Sequence, residues 1–324
     1  MSAPGAAPPP GLGHRRGGAG AGWVAGTVRA RSLARRRLGA GAARRLATSS
    51  SLHDAVATLA ATPYGHGVRV GQDLAGAERG LVETLLWHLR VLGGWLPRDG
   101  AAMLRLLAGW FEIANVEELL QRMAGRPAGE PLALGALATA WPRCAQARSP
   151  AGLRATLATS PWGDPGGETL RDVQLGMRLS WWARLTRLAP AAPWAAGAAG
   201  LLVARERFGA GREPPARLHG QVTSLLGRDA LAAASLAELG RRLPAPARWA
   251  LEGVEDQGDL WRAEAAWWSR VEGDGFQLLG SPGFGEAPVL GAVAVLAADA
   301  RRVRAALELA ARGGRPLEVF DALA

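Results

Sequence analysis

Apolar residues recur at intervals of three and four along most of the chain, the spacing of one face of an α-helix. Leu81, Val82, Leu85, Leu86, Leu89 and Leu92 predict a helix over 77–92. Leu104, Leu107, Phe111, Leu119 and Met123 predict one over 101–124. Leu170, Val173, Met177, Trp181, Leu185 and Leu188 do so over 168–189. Leu260, Trp267 and Val271 mark another over 257–271, with Glu264 as a polar intrusion, and Leu296, Val303, Leu307 and Ala310 mark one near the C-terminus. Sustained period-two alternation is absent, and alanine, the best helix former, dominates. The expected fold class is all-α.

Two elements recur in the same order. The first is an apolar residue, a hydroxyl residue, a proline and an aromatic–glycine pair: Leu59–Gly65, Leu157–Gly163 and Leu279–Gly285, with Tyr64, Trp162 and Phe284 as the aromatics. Proline ends the helix, because it lacks an N–H and disfavours the α conformation at the residue before it. The second is a helix stopped at Gly-Arg and then proline: Gly125-Arg126-Pro127, Gly211-Arg212-Glu213-Pro214 and Gly314-Arg315-Pro316. Their order predicts a threefold internal duplication with the three aromatic turns in equivalent places.

Composition narrows the chemistry. All 38 basic residues are arginine, so no lysine is available for a phosphate loop or a Schiff base. The single cysteine, Cys144, excludes an internal disulfide and a cysteine-rich zinc site. His14, His53, His66, His88 and His219 do not pair at metal-ligand spacing, and no Gly-x-Ser-x-Gly elbow is present. Neither a metal site, a cofactor site nor a catalytic constellation is expected. The net charge of +10 is concentrated: residues 1–50 carry nine of the arginines and no acid. An arm of this kind is either a solvated face or a contact for nucleic acid, an anionic membrane surface or an acidic partner. Residues 1–22, rich in Pro and Gly, are expected to form a disordered extension without the apolar stretch of a secretory signal. No stretch is apolar enough to predict a transmembrane segment. Leu188–Ala204 comes nearest and reads as a helix hairpin near the surface of the core.

The same residues resemble a known family, the V/A-type ATPase subunit called C in prokaryotes and d in the vacuolar enzyme. Val28-Arg29-Ala30-Arg31 is similar to its basic opening. Leu59, Thr62, Tyr64 and Gly65 match its L-x-x-T-x-Y-G segment, and Asn115, Leu119 and Leu120 match its acid–x–x–Asn–Leu helix, with Glu112 near the usual acid. Pro288–Arg312 resembles its C-terminal helix. The middle unit departs from the pattern, since Leu201–Arg207 lacks the asparagine. The resemblance implies a funnel of three similar helical units around a pseudo-threefold axis, with units expected over 23–127, 128–215 and 216–324. It implies a non-catalytic central-stalk rotor subunit at the cytoplasmic face of the membrane, peripheral, coupling the central shaft subunits to the proteolipid ring. Under that reading no nucleic acid partner is expected; the competing reading is a divergent adaptor or nucleic-acid-binding protein using the basic arm.

Six residues stand out as interface candidates. Arg29, Arg31 and Arg35 lie in the basic arm. Asn115, the sole asparagine, sits mid-helix, where it bonds across helices, faces a cavity or is simply exposed. Trp182 and Trp268 fall one position off their apolar stripes, as exposed anchors would, whereas Trp87, Trp110 and Trp181 fall on or near apolar faces and read as core.

Overall fold

A computed structural model describes residues 14–314 together with Leu317 and Phe320. It is all-helical, and no strand occurs among the described residues. Side-chain caps fix several starts. The first elements are α1 (His14–Ala34), α2 (Ala40–Ala47) and α3 (Leu52–Ala60), the last capped by Ser51, whose hydroxyl accepts from the Asp54 N–H. After the Pro63 turn come α4 (Leu74–Gly93), α5 (Arg98–Leu107) and α6 (Gly109–Met123). A short α7 (Trp141–Cys144) precedes α8 (Pro150–Ala158), capped by Ser149, and α9 (Leu170–Leu185), capped by Thr169. Next is α10 (Ala192–Ala204), which runs into a π-helical turn over Arg205–Gly209. The short α11 (His219–Leu226), α12 (Arg228–Leu231), α13 (Leu236–Arg242) and α14 (Ala245–Arg248) lead to the long α15 (Leu260–Gly280) and α16 (Glu286–Ala311).

Four sequence expectations are corrected. The helix expected over 101–124 is two, broken at Ala108. The indole of Trp181 donates to the Leu106 carbonyl (2.7 Å), the acceptor that a continuous helix would give to Trp110. The hairpin expected over Leu188–Ala204 is one interior helix after a tight turn at Ala189–Ala191, and small side chains let it be buried on nearly every side. The helix expected over 257–271 starts at Leu260 and continues to Gly280. The extension expected to lack structure over 1–22 is helical from His14, because Gly22 packs against Pro97 and Gly26 against Leu96; residues 1–13 lie outside the described residues.

The long helices close on themselves. α4 packs on α16 and α5, α5 and α6 pack on α9, α9 on α10, α10 on α15, and α15 along α16. Buried apolar residues form three clusters. One joins α16 to α1–α5; a second joins α6 to α7–α9; a third joins α10, with part of α9, to the segments through α15. Each core thus borrows a helix from beyond the boundaries expected over 23–127, 128–215 and 216–324. Burial of each fully enclosed leucine, such as Leu33, Leu104 or Leu153, contributes about 1.5–3 kcal/mol.

Candidate functional site

Two of the three aromatic turns are built bond for bond alike. In the first, Thr62 Oγ1 accepts from the Tyr64 N–H (3.2 Å) and donates to the Leu59 carbonyl (2.6 Å). In the second, Ser160 Oγ accepts from the Trp162 N–H (3.1 Å) and donates to the Leu157 carbonyl (2.7 Å). A side chain at Gly65 would collide with the Ala60 carbonyl, which accounts for the glycine.

Each turn is keyed to a buried carboxylate from a helix of another segment. Asp299 of α16 accepts from the Leu38 and Gly39 N–H groups (2.8 Å each) and from the Tyr64 hydroxyl (2.7 Å). Glu112 of α6 accepts from the Thr139 N–H (2.5 Å), the Ala140 N–H (2.7 Å) and the Trp162 indole (2.7 Å). Three donors offset the cost of taking each carboxylate out of water. Burial and the adjacent Asp299 charge push the Tyr64 phenol well above its ordinary range, so it stays protonated as a donor. The Arg184 guanidinium stacks 5.0 Å over the Trp162 ring.

Phe284 breaks the expected equivalence. It is 55% exposed, whereas Tyr64 and Trp162 are 5% and 2% exposed. The nearest counterpart in the third segment is Leu243-Pro244, after a helix capped by Ser235 as α3 and α8 are capped by Ser51 and Ser149. There the hydroxyl, the aromatic and the acid are missing together: Leu243 precedes Pro244, Ala245 follows it, and the Leu243 side chain lies against Gly200 of α10. Gly227, leading into α12, repeats the backbone of Gly39, leading into α2, with φ near +80° at both.

The interface candidates are scattered over the molecule. Arg31 donates to the carbonyls of Leu279 (3.3 Å), Ser281 (2.7 Å) and Gly283 (3.3 Å), pinning α1 to the α15–α16 corner. Arg29 Nε is buried with no hydrogen-bond partner, and Arg35 is exposed. Asn115 is buried; its amide donates to the Leu132 carbonyl (2.9 Å) and accepts from the Leu132 N–H (2.7 Å), so it staples a loop and presents nothing to a partner. Trp182 is half-buried between two cores. Trp268 is half-buried, with Arg301 over its ring at 5.5 Å and Trp267 edge-on.

A cleft of about 600 Å³ opens between α6, α9 and the π-helical turn, lined in part by Arg126, Arg171, Arg178 and Arg212 and by Glu168 and Glu206. No group of three or more His, Cys, Asp and Glu able to hold a metal exists among the described residues, and no described helix is long and apolar enough to cross a membrane. Neither the protein-family models nor the curated proteins contain a match to this chain.

Proposed function

We propose that the chain is a non-catalytic rotor subunit of the V/A-type ATPase kind, a funnel of three similar helical units that couples the central shaft to the membrane proteolipid ring. The observation that carries the reading is the paired carboxylate-keyed turn, Tyr64–Asp299 and Trp162–Glu112, within a closed circuit of long helices. The pairs α16–α4, α6–α9 and α10–α15 alternate around that circuit, each with its own apolar core, as three related units around one axis would. In this function the work is mechanical. A socket transmitting torque must resist shear, and buried apolar faces locked by short hydrogen bonds to ionised groups do so. The subunit would sit peripherally at the cytoplasmic face of the membrane, where the exposed Arg35, Arg36 and Arg45 are available to an anionic surface or an acidic partner.

The test is reconstitution. The purified full chain is expected to bridge shaft subunits and proteolipid ring in a pull-down and to hydrolyse no nucleotide alone. Capture of neither partner rejects the rotor reading. Tight binding to nucleic acid with a steep salt dependence would favour the basic-arm alternative.

A further inference from the structure

The two described helix stops of the Gly-Arg-Pro type converge. Gly125 and Gly211 both adopt positive φ (+67° and +63°) with open space around them, and each turns the following arginine out of its helix line. Arg126 and Arg212, from separate segments, thereby reach the wall of one cleft. The other two guanidiniums there are already engaged. Arg178 pairs with Glu117 (2.7 Å), and Arg171 pairs with Glu206 (2.6 Å) and donates to the Glu213 carbonyl (3.0 Å). Arg212 has only a longer pair with Glu206 (3.6 Å), and no hydrogen bond or ion pair engages the Arg126 side chain among the described residues. Glu206 itself lies in the π-helical turn, a rare helical form often found at functional sites. Leu120, Met123, Leu170, Leu175 and Leu202 supply the apolar part of the lining.

We infer that this cleft docks an acidic amphipathic helix of a partner protein. Two guanidiniums with unused donors match carboxylates, and an apolar floor matches the leucine-type side chains that such a helix carries three and four positions away. A phosphate chain fits less well, because Glu168 and Glu206 stand on the same wall and repel closely spaced anions. A helix presents its carboxylates singly and can place them away from those two groups. The inference does not depend on the identity of the larger complex.

The experiment uses the full chain and a fluorescein-labelled peptide of about 18 residues, long enough to form a helix on contact, with Leu at helical spacing and Glu beside it. Fluorescence anisotropy is expected to show saturable binding that weakens by at least about tenfold in R126A/R212A, since each arginine contributes charge-assisted bonds. The same loss is expected when every Glu of the peptide is replaced by Gln. R98A/R228A, which removes equal charge from exposed positions that do not line the cleft, is expected to leave the affinity unchanged. Both arginine pairs protrude from the fold, so circular dichroism melts should coincide with the parent. Absence of binding by the parent chain overturns the inference. So does equal binding by R126A/R212A, equal loss in R98A/R228A, or equal affinity for the Gln peptide. Displacement of the peptide by dodecanoate but not by a second acidic helix would also overturn it, in favour of a small-carboxylate site.

Discussion

The hydroxyl of Tyr64 donates to the carboxylate of Asp299 across 2.7 Å and 235 positions of sequence. That contact ties a turn near the start of the described chain to the last long helix. Y64F is expected to lower unfolding free energy by about 1.5–3 kcal/mol, the worth of a hydrogen bond to a charged group. D299N should cost more, because its amide turns one acceptor into a donor facing an N–H or the phenol. Urea unfolding of both variants and their double mutant measures the coupling. Wild-type stability in Y64F would contradict it.

The Trp162–Glu112 contact should behave as an independent copy. W162F removes the indole donor and is expected to destabilise by a similar amount. The two keys share no residue, so Y64F and W162F should add within about 0.5 kcal/mol in the same urea experiment. A large coupling would mean that the turns communicate.

His88 predicts a pH dependence. Burial first, then the charges of Arg36, His66 and Arg29, lower its pKa to about 4 from an ordinary 6.5. The unfolded chain therefore takes up the proton at higher pH than the folded one. Stability is complete above about pH 6.5 and declines as pH falls toward 4, by up to about 3 kcal/mol. H88Q should flatten the difference across that window in parallel denaturant titrations at each pH.

Cys144 should be chemically silent in the folded protein. Burial, with help from the Glu112 carboxylate, pushes its thiol up to about 12, and the side chain is fully enclosed. Reaction with a chromogenic disulfide reagent is expected only at the rate at which the chain opens. Fast labelling in the absence of denaturant would show that the second core is loose.

The third segment offers a graft. G200D alone buries an unpaired charge against Leu243 and should destabilise strongly. L243T and A245Y supply a hydroxyl and a phenol at the places Thr62 and Tyr64 hold in the first turn. The triple variant should recover part of the loss from G200D, as seen in its melting temperature. No recovery would mean that the third turn has a geometry of its own.

Helices were legible in the sequence because burial of one face leaves a local three-and-four record. The hydroxyl–proline–aromatic turns were legible too, since their chemistry is local: Thr62 and Ser160 bond within five residues. What the turns bond to was not. Asp299 stands out only as the one acid between Pro288 and Ala300, a signal that names a buried charge without naming its partners. Phe284 shares the motif with Tyr64 and Trp162 but stays outside, exposed where they are buried. The break at Ala108 depends on an indole from α9, and no window around Ala108 contains it. The convergence of Arg126 and Arg212 was invisible for the same reason, although both stops were recognisable one by one.

The clasp made by α16 also sets a timetable. On the ribosome, Glu112 emerges before Trp162, so the second turn can lock as soon as its own segment is out. Tyr64 must wait for Asp299, and at bacterial to eukaryotic elongation rates of about 5–20 residues per second that delay is on the order of ten to fifty seconds. Throughout the interval the apolar faces of α1–α5 have no α16 to cover them, and a chain arrested before Asp299 should engage chaperones or proteases that the finished one escapes.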